Sequence, residues 1–410
     1  MMRPVYSTRV RRRGVLGVVA LTAVGVVLSP LHAQTAPAAR EFIVQAENSL
    51  AFTRTDEVLS LPWTRVVAQV RGVSPAAVRV RDVGSGREVA SQVLDANADG
   101  TPDSLLFVAD FRAKEARRFV VEAVASAKWP ARTAVRHDDP RDDMAWESDR
   151  LAWRIYGQGL KKTSSAMSSS GVDIWVKKTK GLVVEKWYAK GHDAYHVDDG
   201  EGADFYDVGE TLGAGGTALW FADSLVRADN FTTWRVVASG PLRTIFEVEY
   251  PEWKAGTLAV TQTKRIIIDA GSNLYREESV FRAPAGTREI PYVIGEVKRP
   301  GMVGTTSRTY NWAWLTGWGP AAPKKGGDGE IGTAVLLPRD RVTDWKETGN
   351  HYFAVTRATP GVPVVHYTGA GWTMSGDFRD VRDWWRYLDE YAQRLAAPIA
   401  ISAVNTASVP

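Results

Sequence analysis

Leu242-Arg-Thr-Ile-Phe-Glu-Val-Glu-Tyr250, followed after a short break by Leu258-Ala-Val-Thr-Gln-Thr-Lys-Arg-Ile-Ile-Ile-Asp269, is written with a period of two. Leu242, Thr244, Phe246, Val248 and Tyr250 fall on one face, and Arg243, Glu247 and Glu249 on the other, the pattern of a strand with one side buried. Ile266 and Ile268 share a face on the second strand. Ala270-Gly-Ser-Asn273 has turn chemistry, and Leu274 to Phe281 reads as the return strand, so a large antiparallel hairpin within a broad sheet is expected.

The same grammar extends over the chain after the Gln34 to Arg40 linker: short β-branched runs separated by Gly, Pro, Asn and Asp. This predicts an all-β fold. Residues 41–135 carry their own strand pattern and end near the polar stretch Arg136-His-Asp-Asp-Pro-Arg-Asp-Asp143. A smaller N-terminal β-sandwich region, then a large antiparallel β-sandwich over 141–400, is the expected organisation, with no internal repeat. One helix is expected, from a cap at Asp377 to Ala396, with Trp384, Trp385, Leu388, Tyr391 and Leu395 at helical spacing facing the sandwich.

Arg3, Arg9 and Arg11 to Arg13, the apolar run Gly14 to Leu28 and Ser29-Pro-Leu-His-Ala33 read as a secretory signal over 1–33, giving a periplasmic or secreted protein. Fifteen apolar residues fall short of the ~20 a spanning helix needs, so no stable membrane insertion is expected after cleavage. That segment holds five arginines and no acid, so removing it takes the formal charge from +4 to −1 (4 − 5). The basic balance is therefore no argument for nucleic acid. With 0 cysteines there are no disulfides and no thiolate chemistry. Sixteen tryptophans fit sugar stacking as well as core packing. The oligomeric state is not legible.

Lys190-Gly-His-Asp-Ala-Tyr-His-Val-Asp-Asp-Gly-Glu-Gly-Ala-Asp204 gathers two of the six histidines and five carboxylates in fifteen residues. Ionisable groups are seldom concentrated for packing, so this reads as a site; a solvated acidic loop is the plainer alternative. Its three glycines disfavour a helix, which weakens a zinc site on His192 and His196 and favours a histidine acting as general acid or base. Elsewhere, Asp95, Asn97, Asp99 and Asp103 have the spacing of a calcium loop, but Leu106 stands where the bidentate acid belongs. A structural calcium is the cofactor such a loop would take; an Asp- and Gly-rich hairpin turn explains the same letters. Gly213-Ala-Gly-Gly216 lacks a following lysine and is expected to be backbone shape. Trp312, Trp314 and Trp318 could form a sugar platform or a core strand, and His351, His366 and the Trp372 loop are lesser candidates.

Trp146-Glu-Ser-Asp-Arg-Leu-Ala-Trp-Arg-Ile-Tyr-Gly157, Asp173-Ile-Trp-Val-Lys-Lys178, Lys186-Trp-Tyr188, His196-Val-Asp-Asp-Gly-Glu-Gly202 and Asp204-Phe-Tyr206 occur in that order. Asn230-Phe-Thr-Thr-Trp-Arg-Val236, Gly240-Pro-Leu-Arg-Thr244 and Asp269-Ala-Gly-Ser-Asn273 follow. Over most of the mature length the chain thereby resembles the family of domains of unknown function numbered 4861. The resemblance implies export by bacteria, genomic company with polysaccharide-degrading enzymes, and a supersandwich of the galactose-mutarotase and polysaccharide-lyase kind. It also implies dehydration of a terminal uronic acid.

Local chemistry assigns the roles. β-Elimination on a uronic-acid-containing oligosaccharide needs a base at C5, an acid at C4 and donors that neutralise the carboxylate. His196 or His192 is the expected base, and Tyr195 or the other histidine the acid. Arg235, Arg243 or Lys190 would clamp the carboxylate, with Trp312 and Trp314 as stacking surface. Asp198, Asp199 and Glu201 would orient the histidines or, with Asp204, hold hydroxyls. A glycosidase using Glu201, Asp204 or Glu247, and a non-catalytic carbohydrate-binding protein, are the alternatives.

Overall fold

A computed structural model describes residues 41–163, 170–321 and 327–404. The expected signal over 1–33 lies outside them. The chain opens with β1 (Glu41–Glu47), β2 (Arg54–Pro62), helix α1 (Trp63–Gln69), β3 (Arg79–Asp82), β4 (Ser91–Leu94), β5 (Ser104–Phe111) and β6 (Ala116–Glu122). It continues through β7 (Thr133–Asp138), β8 (Asp143–Ser148), β9 (Leu151–Tyr156), α2 (Leu160–Thr163), β10 (Asp173–Lys177), α3 (Val184–Lys190) and β11 (Gly202–Ala203). Next come β12 (Ala214–Phe221), β13 (Ser224–Arg227), β14 (Thr233–Ala238), β15 (Arg243–Ala255), β16 (Leu258–Asp269), β17 (Leu274–Arg282) and β18 (Ile290–Val297). The last run is β19 (Val303–Ser307), β20 (Trp312–Pro320), β21 (Glu330–Pro338), β22 (Asp344–Glu347), β23 (His351–Ala358), β24 (Val364–Trp372), α4 (Val381–Ala396) and β25 (Ala400–Ala403).

The hairpin read from the sequence is the spine of an eight-stranded sheet ordered β14-β15-β16-β17-β24-β21-β20-β19. Its register sets Phe246 opposite Ile266 and Thr244 opposite Ile268, so both apolar faces point the same way. That face packs on two five-stranded sheets, β11-β10-β9-β8-β7 and β13-β12-β18-β23-β22. Trp146 lies 5.1 Å from the rings of both Phe246 and Tyr275, locking β8 onto β15 and β17. Inside the same sandwich Lys264 stands 3.2 Å from Glu277, with Ser279 donating to that carboxylate at 2.7 Å and His366 at 3.9 Å. Fully buried charges persist only when paired in this way.

The N-terminal strands form a four-stranded sheet, β25-β1-β6-β3, and a three-stranded one, β2-β5-β4, around their own apolar cluster. Strand β25 comes from the far end of the chain, and β7 belongs to the sheet of β8, so it runs across the stretch where the polar residues had marked a break.

Helix α4 covers the outer face of the large sheet, with Trp384 donating to Thr316 at 2.8 Å. It starts three residues later than expected: Asp380 caps it, accepting from the amides of Arg382 and Asp383, while Asp377 pairs with Arg150 and Lys180. Trp314, 4% exposed, donates to Asp389 of this helix at 2.9 Å, and Trp318 is buried beside it. The Tyr310–Trp318 segment is thus the core strand of its two readings, and Trp314 has no face left for a sugar. Trp312 is half-buried and packs edge-on against Tyr367 at 5.4 Å.

Among the described residues no helix is long and apolar enough to cross a membrane.

Candidate functional site

Strands β8, β9 and β10 place charged side chains on the face turned away from the large sheet: Asp143 and Glu147 on β8, Arg154 on β9, Asp173 and Lys177 on β10. The register sets Arg154 beside Asp173 on β10 and Asp143 beside Tyr156 on β9. Helix α3 and the 3-10 turn Ala194–His196 close over this face, pinned by Trp175, whose ring stacks on Trp187 at 5.7 Å and Tyr195 at 5.0 Å. The helix ends at Gly191, with φ 92°, which any residue with a Cβ would strain to adopt. Gly202 is tighter still, since a Cβ there would sit 2.0 Å from the carbonyl of Val176. That close approach lets β11 lie against β10 and delivers Asp204 to the cluster.

Arg154, with 8% of its side chain exposed, is the hub. It donates from Nε to Asp173 at 3.2 Å, from Nη2 to Asp204 at 2.8 Å and from Nη1 to the Tyr195 hydroxyl at 3.1 Å, while Tyr156 donates to Asp173 at 2.8 Å. Burial opposes the guanidinium charge, but Tyr156, Asp204 and Asp173 outweigh it and hold its pKa well above the ordinary value. Burial raises the Tyr156, Tyr188 and Tyr195 phenols, which stay protonated.

The expected histidines meet at the edge of this cluster. The rings of His192 and His196 are 4.8 Å apart, and that of Tyr195 is 4.6 Å from His196. His192 is open, with 64% of its side chain exposed, and His196 is 25% exposed. His196 Nδ1 donates to the backbone carbonyl of Asp204 and lies 3.6 Å from the Asp204 carboxylate. A carbonyl can only accept, so Nδ1 carries the proton in the neutral ring and the lone pair sits on Nε2.

Other expected roles are corrected by the geometry. Asp198, Asp199 and Glu201 each face a lysine, Lys178, Lys190 and Lys186 respectively, instead of a histidine. Glu201 and Asp199 are held below the usual carboxylate range chiefly by those lysines; in Asp198 burial works the other way but is outweighed by Lys178 and the amides of Gly200 and Gly202. Tyr195 is 2% exposed and its hydroxyl oxygen accepts from Arg154, which places it inside the cluster as a positioning residue. Arg235 pairs with Glu247 at 2.7 Å, and Glu247 also with Arg265 at 2.6 Å, on the large sheet. Arg243 forks onto Asp269 at 2.6 and 2.7 Å. Neither joins the His196 cluster, because β14 and β15 belong to another sheet. A guanidinium that does approach is Arg141, 5.9 Å from the Tyr195 ring and bonded to Asp138 at 2.8 Å.

Asp95 accepts from the amides of Ala98 and Gly100 at 2.7 Å, Asn97 from Asp99 at 2.9 Å, and Asp103 from Ala96 at 2.6 Å. These bonds shape the turn between β4 and β5. Among the described residues no three His, Cys, Asp or Glu side chains gather as a metal site requires, here or at His192 and His196. His351 accepts from the amide of Leu212 at 3.1 Å, His366 lies in the sandwich interior, and Trp372 donates to the carbonyl of Asp328 at 2.7 Å. Gly213 is backbone shape, with φ 61° and a Cβ position 2.1 Å from the carbonyl of Val172.

The residues missed in the sequence are Asp143, Arg154 and Asp173. Their signal was present: a charge inside an apolar strand buried on both faces, as in Trp153-Arg-Ile155, must find a partner. Asp143 is shifted toward its neutral form. Burial pushes its carboxyl up to about 7 despite Arg154 at 3.9 Å. The folded protein keeps that proton to about pH 7, whereas the unfolded chain releases it near 3.8, so stability falls as pH rises between those values. Asp143→Asn should flatten this dependence, removing a loss of about 3 kcal/mol (about two pKa units) between denaturant titrations at pH 5 and 8. Parallel curves for both proteins would rule it out.

A family described as Domain of unknown function (DUF4861) matches residues 46–401. Uncharacterized protein P7 of Formosa agariphila is 27% identical over 379 residues, covering 88% of this chain and 93% of P7. An alpha-mannosidase from Enterococcus faecalis V583 has TM-score 0.50 and 10% identity over 89% of this chain and 46% of its own. A glycosyl hydrolase family 38 protein from Enterococcus faecalis has TM-score 0.47, with 48% of its length covered. The chain thus spans about half the length of these solved structures, and the likeness to the mannosidase concerns the fold alone. With one family matched across both the N-terminal sheets and the large sandwich, the chain belongs to the DUF4861 family.

Proposed function

We propose that the protein is an exported carbohydrate-active enzyme that acts on uronic-acid-containing oligosaccharides by β-elimination, of the dehydratase or lyase type. The observation that carries this reading is the fixed tautomer of His196, whose Nδ1 is held by Asp204 so that Nε2 is the basic nitrogen. In the reaction Nε2 takes the C5 proton, the C5–H electrons form the C4–C5 double bond, and the C4–O bond breaks. The departing oxygen takes its proton from His192, the exposed imidazole beside His196. Lys190, at the end of α3, and Arg141, beside the Tyr195 ring, would neutralise the uronate carboxylate, which is what makes C5 acidic. Arg154 and Tyr195 touch no substrate and act by holding Asp204 and the turn in place. The structurally similar protein of Enterococcus faecalis V583 is an alpha-mannosidase, so this fold is compatible with carbohydrate chemistry.

The test is product analysis with a panel of uronic-acid oligosaccharides. Elimination yields a conjugated double bond absorbing in the ultraviolet and either loss of water or a split chain without water gained. A saturated product with water gained would make the protein a hydrolase, and binding without product would make it a carbohydrate-binding protein; either result overturns the proposal.

A further inference from the structure

A cleft of about 360 Å³ opens between β2, the end of the β15–β16 hairpin and helix α4. It lies within the range of small-molecule sites, about 300–1,000 Å³. None of the elements that build it carries the His196 cluster. One wall is aromatic: Tyr367, Tyr391 and Tyr387 follow one another with ring centroids 5.5 and 5.8 Å apart. The other wall is charged. Arg243 is gripped by Asp269 through Nε and Nη2, which leaves Nη1, on the opposite edge of the fork, outside that pair. Arg54 forks onto Glu57 at 2.9 and 2.7 Å, and Arg394 reaches the same carboxylate at 3.3 Å. The remaining acid, Asp56, is engaged by Arg132 at 2.8 Å and Arg150 at 2.7 Å.

Three guanidiniums, on Arg54, Arg243 and Arg394, therefore share the carboxylates of Glu57 and Asp269, with Glu390 one turn from Arg394 on the helix. Arg394 Nε is buried without a hydrogen-bond partner. A buried donor left unpaired is costly, so an acceptor bound beside it would be favoured. Aromatic faces beside forked guanidinium donors suit a ring with apolar C–H faces, hydroxyls and one anionic group.

We propose that this cleft is a second saccharide site, separate from the His196 surface, that holds one uronic acid residue of an oligosaccharide. The choice of a sugar rests on the reading that acidic oligosaccharides are the protein's ligands; the demand for an anion rests on the cleft alone. The site would anchor a chain whose reacting end lies elsewhere, or hold a released product.

The test is calorimetry on the full chain with a glucuronate-containing tetrasaccharide, its carboxyl-reduced form and a sulfated neutral tetrasaccharide. Arg394→Met should weaken glucuronate binding in the cleft about tenfold or more, the loss of one charge-assisted hydrogen bond. Arg394→Lys should restore part of it, and the reduced sugar should bind the parental protein no better than it binds Arg394→Met. Turnover of a short substrate should survive in Arg394→Met. Should that variant unfold, Tyr367→Leu takes its place, with the same loss expected. Parental affinity in a folded variant, equal affinity for the reduced sugar, preference for the sulfated sugar, or loss of turnover together with binding would each overturn the proposal. A protein that forms no product but loses glucuronate affinity on Arg394→Met would lack the proposed enzymatic activity and keep the cleft site.

Discussion

Replacing Arg154 by methionine should destabilise the protein by about 3–5 kcal/mol, because it leaves two carboxylates buried without their counter-charge. Asp173 and Asp204 are each 2% exposed at the side chain and both bond to the guanidinium. Methionine preserves most of the packing volume, so the loss reports charge and hydrogen bonding more than a cavity. Guanidinium-chloride denaturation checks this directly. Adding Asp173→Asn to the variant should recover part of the loss, since an amide needs no counter-ion, and the pair of mutations should be strongly non-additive. A loss below about 1 kcal/mol, typical of exposed pairs, would show that the cluster is not the hub described above.

The second large effect is on chemistry. His196→Ala should lower kcat by about 10²–10⁴-fold on a uronic-acid oligosaccharide, the range for removal of a positioned general base, with a much smaller change in KM. The ring sits at the rim of the cluster, 25% exposed, so the melting temperature should fall less than in Arg154→Met. Asp204→Asn should be intermediate in activity and costly in stability, because Asp204 serves both His196 and Arg154. His192→Ala should fall between the parental protein and His196→Ala. If His196→Ala and His192→Ala, both folded, turn over substrate at the parental rate, the assignment of this loop as the reacting surface is wrong.

The fate of the sequence expectations follows a physical division. Period-two alternation in Leu242–Tyr250 was readable because only a strand with one dry face satisfies it, and helix α4 because its apolar stripe repeats at helical spacing. The density of ionisable groups over 190–204 was readable for a similar reason: so many charges in fifteen residues must lie at a surface or pair with one another. The partners were not readable. Asp198, Asp199 and Glu201 were expected beside the histidines, yet lysines on β10's exit and on α3 claim them, while Asp204, assigned a lesser role, became the link between His196 and the buried arginine. Tryptophans at 312 and 314 were equally consistent with a platform or a core, and only the position of α4 chose between these.

From the chain alone came the fold class, the hairpin at its centre, the terminal helix and the loop that carries two histidines, because each is a property of neighbours along the backbone. Which charges meet was decided by tertiary structure. Arg154 reaches Asp173 through the β9–β10 register, and Asp204 through a β11 strand seated by Gly202. Those contacts span 19 and 50 residues, and their energy depends on burial created by strands that are themselves distant in sequence. Local spacing holds no record of such burial, since it exists only once the sheets have closed on one another.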